Sequence, residues 1–80
     1  MMNMTPARYI RLHVFGVPTQ TEFARLLGYE QPHVSRLERG APFSSEAQTR
    51  IRRLAEQRGV PWDNNWFFEV PECPPQSCVV

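Results

Sequence analysis

The sequence predicts an all-α fold: four to five short helices in one compact domain, ending either in a fifth helix or in a short C-terminal β-strand arm. Three observations point there. The chain has four glycines, and each follows a stretch with helical spacing of apolar residues. Residues that cap helix N-termini (Thr5, Thr19, Ser44 or Ser45) stand at the start of those stretches. Two of the stretches are short and joined by a Gly-containing turn, as in a helix pair at 19–40.

Each element follows from local chemistry. Thr5 and Pro6 offer an N-cap and a proline at the first helical position, and Gly16 closes that stretch. Between them Tyr9, Ile10 and Val14 face the core, with Leu12 a further candidate. Pro18 ends the connection, and Thr19-Gln20-Thr21-Glu22 reads as a capping box. Phe23, Ala24 and Leu27 form the apolar stripe of the second helix, which stops at Gly28. A third helix runs from Gln31 to Arg39, with Pro32 in the first turn, where no intrahelical amide bond is lost. Ala41-Pro42-Phe43 is a loop. Ser44 or Ser45 then opens the fourth helix, with Gln48 placed to complete a box on Ser45. Ala47, Ile51, Leu54 and Ala55 keep helical spacing as far as Gly59.

From Val60 the texture changes. Trp62, Trp66, Phe67, Phe68 and Val70 crowd into a short aromatic arm, followed by a Pro-rich tail at 71–80. Trp66, Phe68 and Val70 alternate with Phe67 and Glu69, which suits a strand; Asp63 as a cap suits a brief helix. Cys73 and Cys78 read as free thiols on that tail, with no zinc-type ligand set around them. The predicted organisation is 1–59 as the helical domain, 60–70 as the arm and 71–80 as the tail.

Charge is divided unevenly. The chain has no Lys, and residues 1–59 hold nine Arg against five acids, a balance of +4. Residues 60–80 carry −3 from Asp63, Glu69 and Glu72. A basic body suits a phosphate-bearing partner, and Arg grips phosphate or guanine with a two-pronged fork. No apolar run is long enough to cross a membrane, and the opening stretch is not a secretory signal, so a cytoplasmic protein is expected. An enzyme is not expected, since no paired carboxylates, nucleophile–His pair or phosphate loop appears. No metal, other cofactor or small-molecule substrate is expected either.

Two short helices joined by a Gly-containing turn form the signature of a helix-turn-helix, here over residues 19–40. Ala24 is small where the third helix crosses above it, and Gly28 suits a turn with positive φ. With Val34 and Leu37 facing inward, Pro32, Ser35, Arg36 and Arg39 point outward at about 100° per residue, flanked by Gln31 and His33. A narrow, polar, basic helix face fits the major groove of double-stranded DNA, where Arg bonds guanine and Gln bonds adenine. His33 reaches a phosphate when protonated, or stands by uncharged; His13 is read as non-functional. Arg50, Arg52 and Arg53 offer a phosphate stripe on the fourth helix, or an ordinary solvated face.

The run Thr19-Gln20-Thr21-Glu22-Phe23-Ala24-Arg25-Leu26-Leu27-Gly28, followed by Gln31 and Val34-Ser35-Arg36-Leu37-Glu38-Arg39-Gly40, resembles the Cro and repressor family of phage-type helix-turn-helix regulators. The resemblance implies a repressor-like DNA-binding domain. Gln31 and Arg36 would read base edges, with Pro32 adding only apolar contact such as to a thymine methyl. Gln20, His33, Ser35 and Arg39 would contact phosphates. Glu38 would be structural, paired with an Arg near the first or the fourth helix. Pro32 and the bulky Tyr29 depart from the family pattern.

Such regulators bind palindromic operators as twofold dimers, with half-sites about 34 Å apart. Trp62, Trp66, Phe67, Phe68 and Val70 are the expected homodimer contact, through a strand edge at 66–70. The expected function is transcriptional regulation in a bacterial cytoplasm or nucleoid, encoded by a phage or mobile element. The alternative is an antitoxin or adaptor that docks a partner protein through the 62–70 arm.

Overall fold

A computed structural model describes residues 4–70. Helix α1 (Pro6–Tyr9) starts where the Thr5 hydroxyl accepts the Arg8 amide at 3.4 Å, with Pro6 in the first turn. It runs directly into a π-helical segment, Ile10–Val14, whose wider turn is closed by the Phe15 amide donating to the Ile10 carbonyl at 3.0 Å. Helices α2 (Gln20–Leu27), α3 (Gln31–Glu38) and α4 (Ser45–Arg58) follow, and a 3₁₀ turn spans Asn64–Phe67. The architecture is all-α, with no strand among the described residues.

The helix ends form as local chemistry dictates. All four glycines have positive φ, and Gly59 closes α4 in the left-handed conformation. Thr19 accepts the Glu22 amide at 3.2 Å, the forward half of the capping box. Among the described residues Glu22 makes no return bond; its side chain lies in solvent. Ser44, not Ser45, caps α4: its hydroxyl accepts the Ala47 amide at 3.1 Å, while the Gln48 side chain donates to the Phe43 carbonyl at 3.4 Å. The box on Ser45 is therefore replaced by a plain serine cap one residue earlier. Ser44→Ala should cost about 1 kcal/mol, and Ser45→Ala should cost nothing or stabilise slightly, in parallel urea titrations.

The core gathers Tyr9, Ile10, Val17, Phe23, Ala24, Leu27, Val34, Ile51, Leu54 and Phe67. The π segment changes which residues of the first stretch enter it. Consecutive Tyr9, Ile10 and Arg11 are all buried, while Leu12 is only half-buried. That arc is wider than the stripe of an ordinary surface helix, and it carries a charged side chain inward.

The strand expected at 66–70 does not form. The Asp63 carboxylate accepts the Asn65 amide at 2.9 Å and starts the 3₁₀ turn, and the Phe68 amide then donates to the Asn65 carbonyl at 2.9 Å. Burial decides between the two signals: Phe67 lies off the alternating apolar set, yet it is the residue that enters the core. Its ring packs on Phe43 and Trp62, with centroids 5.0 and 5.1 Å away. Trp66 meets Tyr9 edge-on at 5.8 Å, and Trp62 lies 6.3 Å from Phe15. The arm thus closes the domain's own core. No helix among the described residues is long and apolar enough to cross a membrane. The expectations for the 71–80 tail, including Cys73 and Cys78, lie outside the described residues.

Candidate nucleic-acid interface

The unit at 19–40 is built around Gly28. It closes α2 with φ 80° and ψ 27°, and the Tyr29 amide reaches back to the Ala24 carbonyl at 2.8 Å. This is a Schellman-type ending, for which a Cβ would be strained. Space adds a second requirement, since a Cβ on Gly28 would lie 2.7 Å from Nη1 of Arg50. Glu30 stands in extended conformation before α3, which needs no amide at Pro32 in its first turn. Phe23, Ala24 and Leu27 on α2 and Val34 and Leu37 on α3 are buried. The apolar faces of the two helices therefore fix their crossing.

Helix α4 clamps the turn. Arg50 Nη1 donates to the Leu27 carbonyl at 2.8 Å, and its Nη2 pairs with Glu46 at 3.1 Å. The guanidinium also sits 4.8 Å from the Tyr29 ring centroid, a cation–π distance. Tyr29 stacks on His33 with centroids 4.1 Å apart and planes 8° from parallel. The bulky Tyr29 thus becomes a packing platform between α3 and α4. Burial raises its hydroxyl pKa, with Glu46 adding to the rise and Arg50 opposing it. Of the three Arg read either as a phosphate stripe or as a solvated face on α4, Arg50 turns to the end of α2, where its guanidinium bonds the Leu27 carbonyl; Arg52 and Arg53 stay exposed.

A polar chain links the interior to the start of α3. The Arg11 and Glu38 side chains, 7% and 5% exposed, form an ion pair with Nε and Oε2 2.5 Å apart. Arg11 also donates to the carbonyls of Val17 and Pro18 at 3.1 and 2.8 Å. The Thr5 hydroxyl donates to the Glu38 carbonyl at 2.8 Å. Of the two Arg partners open to Glu38, the structure uses the one beside the first helix. Gln20 Nε2 donates to Glu38 Oε1 at 3.0 Å, and Gln31 Nε2 donates to Gln20 Oε1 at 2.6 Å. Both ends of the Gln20 amide are therefore engaged within the protein.

On the outer face of α3, Gln31, Pro32, Arg36 and Arg39 are exposed, and His33 and Ser35 are half-buried. Arg39 Nη2 donates to the Ser35 hydroxyl at 3.1 Å, which brings those two together. The arm is placed differently. Phe67 is buried, and Trp62, Trp66 and Val70 are half-buried against the core. Only Phe68, 73% exposed, is a large apolar side chain left in solvent among the described residues. Sequence reasoning missed the inward turn of Arg11 and the clamp by Arg50. The contacts that define them, to Glu38 and to the Leu27 carbonyl, lie 27 and 23 residues away in the chain.

No family model, no curated protein and no solved structure matches the chain.

Proposed function

We propose that this chain is a sequence-specific regulator that binds double-stranded DNA, inserting α3 into the major groove. The observation that carries this reading is the pairing of two faces on one short helix. Val34 and Leu37 anchor α3 in the core, while Gln31, Pro32, Arg36 and Arg39 stand in solvent on the opposite side. The turn at Gly28, held by Arg50, sets the start of α3, where Gln31 is exposed while bonded to Gln20 of α2. Gln31 and Arg36 are then the base-readers, and Ser35 and Arg39 brace phosphates.

The resemblance to Cro and repressor proteins adds a palindromic operator, a twofold dimer, a repressor role in a bacterial cytoplasm and a phage or mobile-element origin. If the arm joins two copies, Phe68 is the side chain positioned for it. The antitoxin or adaptor reading gains no specific support, because the arm spends most of its aromatic surface inside its own domain.

Selection from a pool of randomised duplexes, followed by titration of the enriched sequence, tests the proposal. Arg36→Ala should weaken binding by about 1–3 kcal/mol and relax one base position. Arg39→Ala should weaken all sequences alike and lower the salt slope by about 1. Binding that ignores both substitutions would remove α3 from the interface.

A further inference from the structure

Tyr29, in the turn between α2 and α3, is half-buried, and its hydroxyl is buried with no hydrogen-bond partner among the described residues. A buried hydroxyl without a partner costs folding free energy, so the hydroxyl is not what recommends a tyrosine here. The ring is, because it serves two neighbours from two helices. The imidazole of His33 on α3 stacks on it, with centroids 4.1 Å apart and planes 8° from parallel. The guanidinium of Arg50 on α4 lies 4.8 Å from the same centroid. Arg50 is itself held from two sides, by the Leu27 carbonyl at 2.8 Å and by Glu46 at 3.1 Å. The plane of the His33 ring is therefore set by the turn and by α4, and not by α3 alone.

The place of His33 on α3 gives that fixed plane a use. At about 100° per residue, His33 lies about 60° round from Arg36, on the border of the solvent face, and it is half-buried there. Both imidazole nitrogens lie in the ring plane, so a partner stacked on one face does not cover the polar edge. An imidazole carries at least one N–H in either protonation state, and a phosphate oxygen can only accept. A ring already held in one plane loses little further freedom when such a contact forms.

We propose that Tyr29 is a positioning residue for DNA, which acts through its stack on His33 to hold the imidazole edge for one backbone phosphate. The inference rests on the DNA-binding reading above, and it gives a role to a side chain that departs from the family pattern. Tyr29 itself touches no DNA. Arg50 completes the arrangement, since it ties α4 to the ring on which His33 rests.

The test uses the full chain and the enriched duplex, with a single methylphosphonate replacing each backbone phosphate in turn. The phosphate held by His33 is the one whose replacement weakens wild type by about three- to tenfold and leaves His33→Ala unaffected. Tyr29→Leu removes the ring and should lose most of the sensitivity to that same phosphate, with the base order kept at every position. Tyr29→Phe keeps the ring, sheds the unpartnered hydroxyl and should bind as wild type does. Tyr29→Leu added to His33→Ala should cost less than about twofold more, since the two side chains act as one unit.

A second measurement uses wild type alone and decides the matter if circular dichroism shows that Tyr29→Leu does not fold. In NMR spectra the ring protons of His33 should be shifted upfield by Tyr29 in the free protein and stay so in the DNA complex. An upfield shift that disappears on binding would mean that the imidazole leaves its platform, and would overturn the proposal. So would a folded Tyr29→Leu protein that loses as much affinity in the His33→Ala background as in wild type, or a scan in which no phosphate depends on His33. Failure of the wild type to enrich any duplex would instead remove the DNA-binding reading itself, a separate result.

Discussion

Glu38→Ala is expected to cost about 3–5 kcal/mol of folding stability, which is a large part of what a domain this small has. The reason is what the substitution leaves behind. Arg11 would remain at 7% side-chain exposure with no carboxylate, and the inward amide of Gln20 would lose its acceptor. An uncompensated buried charge is far more costly than the net worth of the pair itself. Urea unfolding followed by the fluorescence of Trp62 and Trp66 gives the number directly, since both rings pack on the core. Arg11→Met should be costly too, because the carbonyls of Val17 and Pro18 lose a donor along with Glu38. The double substitution should cost less than the two single ones added together, as contacting residues do. A loss below about 1 kcal/mol for Glu38→Ala would mean that the pair behaves as a screened surface bridge.

What could be read in the sequence and what could not divides by distance along the chain. The Gly28 turn, the Thr19 cap and the two-faced pattern of α3 depend on residues within a few positions of one another, and they appear where the local pattern places them. Arg11 is different. Its spacing on a regular helix gives no reason for it to be buried, and it turns inward in a π segment to meet an acid on α3. Likewise Arg50, Arg52 and Arg53 look equivalent as letters. Only the packing of α4 against α2 brings the first of them to the last carbonyls of α2. Gln20 is legible as the residue that opens α2, but the direction of its amide follows from Glu38, a contact that local pattern does not encode. The arm shows a third case, in which two local signals conflict. Alternation at Trp66, Phe68 and Val70 argues for a strand and Asp63 for a turn, and the long-range burial of Phe67 settles it.

That burial leads to the second large effect, a contrast between chain neighbours of identical chemistry. Phe67→Ala should lose about 3–5 kcal/mol, whereas Phe68→Ala should stay within about 0.5 kcal/mol of wild type. Phe67 is 4% exposed and wedged between Phe43 and Trp62, so truncation leaves a cavity that the surrounding rings cannot fill without shifting. Phe68 is 73% exposed and gives up little packing. Thermal unfolding at several protein concentrations separates the two roles an aromatic arm can play. A midpoint for Phe67→Ala lowered equally at every concentration places its loss inside one protomer. If Phe68 instead joins two copies, its substitution should weaken self-association in sedimentation while the protomer remains folded. Should Phe68→Ala prove the costlier change in a monomeric sample, the 3₁₀ turn would have to be rotated to exchange the two rings. The packing of Trp62 and Trp66 on the core would then be lost with it.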